Sequence, residues 1–99
     1  MKLSYGTSEL EASCTNGKTM QKRYALPIAS AIKRRIKQLE SAVTIDDLVQ
    51  GPGKWHTLTN RGTLVYAGRL SANWRIVVQF RNADGGVIEA HVLEIIDYH

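Results

Sequence analysis

The sequence predicts an α+β fold in which helices from the first half of the chain cover one face of a small, twisted antiparallel sheet built by the second half. Three observations predict it. Ile28, Ile32, Ile36 and Leu39 recur at intervals of four, four and three, the apolar stripe of an amphipathic helix. From Trp74 the period becomes two: Trp74, Ile76, Val78 and Phe80 alternate with Arg75, Val77, Gln79 and Arg81, as in a strand with one face on a core. The later apolar runs are joined by short links, Ser71-Ala72-Asn73 and Asn82-Ala83-Asp84-Gly85-Gly86, which connect antiparallel neighbours.

Taken in order, Lys2 to Tyr5 can form a short first strand. Ser8 followed by Glu11 has the spacing of a capping box and places Leu10 and Cys14 on one helical face. Gly17 reads as the stop of that helix. Met20 and Tyr24, again four apart, predict a second short helix before Pro27, which suits the first position of the long third helix. Lys33, Arg34, Arg35 and Lys37 occupy the other faces of that helix, either as solvated exterior or as a surface for phosphates or an acidic partner. Thr44 with Asp47 predicts a capped turn from Ile45 to Val49, ended by Gly51-Pro52-Gly53. Trp55 to Leu58, Leu64 to Leu70 and Val87 to Tyr98 read as the remaining strands. With no repeat or linker in 99 residues, a single domain over 1–99 is expected.

Composition narrows the function classes. The longest apolar runs fall far short of the roughly 18 residues a membrane span needs, and the start carries no charged-then-apolar leader, so a soluble, untargeted protein is expected. Cys14 is the only cysteine, which excludes an internal disulfide and a paired-thiolate metal site and suits a reducing cytoplasm. Thirteen Lys and Arg against nine acidic residues give a formal charge of +4, which favours a polyanionic partner without specifying one.

The segment Ala72-Asn73-Trp74-Arg75-Ile76, continuing to Gln79-Phe80 and followed by the ending Asp97-Tyr98-His99, resembles HigB toxins of the RelE superfamily. His56, 19 positions before Arg75, adds to the resemblance, which is strong over roughly residues 55–99 and weaker before them. The resemblance implies a RelE-like fold and the toxin of a type II toxin–antitoxin pair, a ribosome-dependent endoribonuclease acting on messenger RNA in the cytoplasm of a bacterium. It also implies a HigA-like helix-turn-helix antitoxin and the 70S ribosome as partners, with no membrane, metal or small-molecule cofactor. One stretch departs from the pattern. In Leu58-Thr59-Asn60-Arg61-Gly62-Thr63-Leu64, Asn60 stands where relatives have a loop glycine, and Arg61 falls one place early.

Metal-free RNA cleavage by the neighbouring 2′-hydroxyl needs a proton acceptor, a proton donor and stabilisation of added negative charge. His56 and His99 titrate nearest neutrality and are candidates for the proton transfers. Asp97 lies two residues before His99, so on a continuing strand both share a face, where Asp97 could orient an imidazole or take the proton itself. Arg75 offers a planar fork for phosphate oxygens, and Tyr98 a ring for stacking or a hydroxyl for a phosphate. Arg61, Lys33, Arg34 and Lys37 are candidate RNA or ribosome contacts.

Each has a plainer alternative. Arg75 could pair with Asp97 or Glu94, His56 could be a surface or hydrogen-bonded histidine, and His99 a chain end. Trp74 and Cys14 read as core, and His91 as structural. Two other functions stay open: a ParE-like inhibitor of DNA gyrase, which the same superfamily includes, and a non-catalytic RNA- or protein-binding module.

Overall fold

The computed structural model describes residues 1–98. The helical half comprises β1 (Lys2–Tyr5), α1 (Ser8–Thr15), α2 (Gly17–Arg23), α3 (Leu26–Ser41) and α4 (Ile45–Gln50). The sheet half follows as β2 (His56–Thr57), a 3-10 turn at Thr59–Arg61, β3 (Val65–Arg69), β4 (Trp74–Asn82) and β5 (Ile88–Asp97). The strands lie side by side in the order β1-β5-β4-β3-β2. The α+β architecture is the expected one, but the sheet is mixed: β1 runs parallel to β5 while every other pair is antiparallel. A parallel pairing needs a long crossover, and the whole helical layer separates these two strands in the chain.

The predicted stripe of α3 forms the centre of the core. Ile28, Ile32, Ile36 and Leu39 are buried against Ile76, Val78 and Phe80 of β4 and Ala90 and Val92 of β5. Each such side chain contributes about 1.5–3 kcal/mol by leaving water. Trp74, half-buried, packs its ring edge-on against Tyr24 with centroids 5.7 Å apart, and Tyr66 meets Phe80 in the same way at 5.3 Å. No helix among the described residues is long and apolar enough to cross a membrane.

Local chemistry differs from expectation at three places. The cap of α1 is Thr7, not Ser8: the Thr7 hydroxyl accepts from the Leu10 N–H at 3.1 Å, because Thr7 still has extended backbone angles while Ser8 is already helical. Gly17 opens α2 instead of stopping α1. Asn16 serves both helices, donating its N–H to the Ala12 carbonyl and accepting from Lys18 and Thr19 N–H through its side chain. Arg35 is buried at 7% exposure, not part of the solvated face with Lys33, Arg34 and Lys37. It follows Ile32 by three and precedes Leu39 by four, which puts it on the apolar stripe.

The box at α4 forms as predicted. Asp47 accepts from the backbone N–H groups of Thr44 at 3.0 Å and Val43 at 3.1 Å, which holds its carboxyl below the ordinary carboxylate value. A pKa lowered by folding contributes stability that is complete above the unfolded value of about 3.9 and is lost as pH falls through the folded one. Asp47→Asn is therefore expected to flatten the acid limb of stability against pH. Urea midpoints taken from neutral pH to below about pH 4 check this; an acid limb identical to wild type counts against it.

Candidate functional site

Helices cover one face of the sheet, and register determines which side chains occupy the other. Paired residues share a face. His56 pairs with Ala67, Ala67 with Val77, and Val77 with Glu94, giving one row across four strands. The next row is Arg69, Arg75 and Ile96. This outer face is not bare. Val65, Ala67 and Val77 are at most 2% exposed, because segment 58–64 bends back across them. Leu58 N–H donates to the Val65 carbonyl, Gln79 Nε2 to the Thr63 carbonyl, and Arg61 reaches from the 3-10 turn to Glu94.

Arg61 and Glu94 form an ion pair at 2.7 Å, about one-third exposed on each side. The Glu94 hydrogen bond and charge hold the Arg61 guanidinium above its ordinary value, with a smaller contribution from the Tyr98 hydroxyl beside it. Tyr98 is 41% exposed, and its backbone N–H donates to the Asn73 carbonyl at 2.8 Å, fastening the strand end to the β3–β4 turn. The displaced arginine of the altered loop thus sits beside Tyr98, on the same face as Arg75.

Arg75 does not pair with Glu94, which Arg61 engages instead. Its Nη1 donates to the carbonyls of Ser71 at 2.7 Å, Trp74 at 2.9 Å and Ala72 at 3.3 Å. These bonds use one terminal nitrogen and set the plane of the guanidinium at the sheet end. Directly across lies Arg69, exposed and on the same face. Two always-charged forks opposite one another repel unless an anion lies between them. The sequence reading missed Arg69, although a signal exists: with Ser71-Ala72-Asn73 as a tight turn, Arg69 and Arg75 are equidistant from Ala72 and must face each other.

His56 is exposed on the edge strand, about two strand spacings or roughly 10 Å from β4. Its Nδ1 lies 3.0 Å from the Lys54 carbonyl. A carbonyl only accepts, so Nδ1 is the donor in this contact, and the tautomer that keeps this proton has Nε2 as its acceptor atom.

Other expected residues are placed elsewhere. Asp97 is the register partner of Trp74 and so is directed to the helix side of the sheet, opposite to Tyr98. His99 lies outside the described residues, which leaves its expected place beside Asp97 undescribed. Lys33, Arg34 and Lys37 line a cleft of about 480 Å³ on the helical layer, together with Cys14, Thr15, Ile36 and Glu40. They do not join the arginine face. Cys14 is core as expected, and burial pushes its thiol up to about 12, so it is not a thiolate at neutral pH. His91 is structural: Ser4 gives its hydroxyl proton to Glu89 at 3.0 Å, and His91 Nδ1 donates to the Ser4 oxygen at 2.7 Å, tying β1 to β5. Among the described residues no three His, Cys, Asp or Glu side chains come together as a metal-binding group.

No family model and no curated protein matches the chain. Solved structures do. Over the full length of both chains it is similar to the YoeB/ParE toxin from Agrobacterium tumefaciens, with a TM-score of 0.69 at 17% identity. Two Staphylococcus aureus structures, a YoeB–YefM complex and a YoeB dimer, match all of this chain and 97% of theirs, with TM-scores of 0.61 and 0.60 at 17% and 18% identity. The RelE-like α+β fold expected from the sequence is thus the fold of these toxin structures, with the arginine pair, Arg61, Tyr98 and His56 gathered on the face its helices leave uncovered.

Proposed function

We propose that the chain is the HigB-like toxin of a type II toxin–antitoxin pair and that it cuts messenger RNA on the ribosome in the bacterial cytoplasm, using the RNA 2′-hydroxyl as nucleophile. The observation that carries this reading is the outer face itself, where Arg75, Arg69 and Arg61 stand with Tyr98 and His56 on a fold shared with toxins. A phosphodiester seated against Arg75 and Arg69 relieves their repulsion and has its developing charge neutralised by two planar donors. His56 Nε2 accepts the 2′-hydroxyl proton, the 2′-oxygen bonds to phosphorus, and the 5′-oxygen leaves with a proton from Tyr98 or His99. Proton transfer of this kind contributes about 10²–10⁴-fold. The ribosome supplies substrate alignment, which so shallow a site cannot.

The antitoxin, a HigA-like helix-turn-helix protein, belongs to the same proposal; one similar structure is a YoeB–YefM complex. The cleft ringed by Lys33, Arg34 and Lys37 suits an acidic segment of such a partner better than RNA. Its lining includes apolar Ile36 and Cys14, which side chains of a peptide can cover and a phosphate chain cannot.

Purified protein incubated with translating ribosomes is expected to produce new messenger RNA ends, lost in His56→Ala and His99→Ala. Absence of cleavage, or cleavage that both variants retain, defeats the proposal. The ParE part of the Agrobacterium name favours one alternative, gyrase inhibition. Supercoiling that stops while RNA stays intact would select it.

A further inference from the structure

Arg35 raises a question that the core does not answer. It is the one buried cation among the described residues, forms no ion pair among them, and its Nε has no hydrogen-bond partner. Burying a guanidinium without a carboxylate opposes folding, so its surroundings need a reason of their own. They lead to His56. Arg35 Nη1 donates to Gln38 Oε1 at 2.8 Å, and Trp55 Nε1 donates to the same oxygen at 3.1 Å. Gln38 Nε2 donates to the Pro52 carbonyl at 2.7 Å. The Arg35 guanidinium also lies against Gly53 so closely that a Cβ there would overlap Nη1, and the Gly53 carbonyl accepts from the Arg69 N–H at 2.7 Å.

Two residues of α3 therefore hold three points of the segment entering β2: Pro52, Gly53 and Trp55. Lys54 between them has φ +47°, a left-handed conformation a lysine rarely adopts, and its carbonyl is the partner of His56 Nδ1. Trp55 points inward and is 3% exposed, clamped between Gln38 and Gly68, so the pleat sends His56 outward. The direction of the imidazole is set by anchors one, three and four residues before it.

We propose that Arg35 and Gln38 are positioning residues for His56, acting through Pro52, Gly53 and Trp55 to hold its ring over the outer face. Neither touches substrate. The assignment rests on the proposed reading of His56 as a proton-transfer group.

Gln38→Glu separates anchoring from folding. It keeps the side-chain shape and the acceptor for Arg35 and Trp55, and adds a counter-charge beside the buried cation, but it replaces the donor to the Pro52 carbonyl with a carboxylate oxygen. Expected in this variant are a retained thermal midpoint, shifted NMR signals of the His56 ring, and kcat for cleavage of ribosome-bound messenger RNA lower by about 10- to 100-fold with KM unchanged. Arg35→Lys, which keeps the charge but loses the fork, is expected to act in the same direction and serves alone if Gln38→Glu does not fold. A folded variant with wild-type His56 signals and wild-type kcat overturns the positioning role. If wild-type protein cleaves nothing while the His56 signals still respond, positioning stands and the proposed reaction falls.

Discussion

Arg75→Lys is expected to lower cleavage of ribosome-bound messenger RNA by about 10²–10³-fold, the range found when one preorganised donor to a developing oxyanion is removed. Lysine keeps the charge but not the fork. In the folded chain Arg75 spends Nη1 on the Ser71, Ala72 and Trp74 carbonyls, so a ligand meets the rest of a planar group already held in place. A lysine ammonium engaged by those carbonyls has no second nitrogen to offer. Arg69→Ala is the companion variant, because this exposed side chain can be removed with stability expected within about 0.5 kcal/mol of wild type. Single-turnover cleavage on programmed ribosomes measures both. Wild-type rates in both variants would remove the arginine pair from the chemistry.

The second large effect is on stability. Gly68→Ala places a Cβ 2.7 Å from two ring carbons of Trp55 and 2.8 Å from a third. Overpacking a core costs about 1–3 kcal/mol, and the upper end applies here because the indole cannot retreat: it is 3% exposed and tied to Gln38. For a domain of this size about 3 kcal/mol corresponds to a fall in Tm of roughly 10–20 °C. Urea unfolding with an unchanged slope measures it, and a loss below about 1 kcal/mol would mean that Trp55 shifts freely. The same strain falls on the residue preceding His56, so stability and cleavage are expected to decline together.

Much of this was legible from the residues, and the reasons are local. The α3 stripe, the box at Thr44 and Asp47, and the alternation through β4 arise from periods of 3.6 and 2.0 and from caps a few residues long. The resemblance around Trp74-Arg75 and the chain end pointed to the same fold. Where the reading failed, a second partner decided. Ser8 and Gly17 were locally suitable for their assigned places, but Thr7 and Asn16 had the extended backbone that frees a side chain to cap. Val77 alternates as an outer residue and is nevertheless fully buried, because segment 58–64 folds over it. Asp97 was a candidate catalytic residue through its spacing from His99, whereas its pairing with Trp74 turns it to the helix side.

By itself the sequence determined the helices, the strands and the tight turn that sets Arg69 opposite Arg75, since each depends on periodicity or on neighbours in the chain. Only the tertiary structure decided that Arg61 reaches Glu94 beside Tyr98, that α3 anchors the segment carrying His56, and that Lys33, Arg34 and Lys37 stand apart from the arginine face. Those outcomes depend on which strands become neighbours and on which side of the sheet the helices pack. Contacts between residues distant in the chain fix both, and no local pattern encodes them.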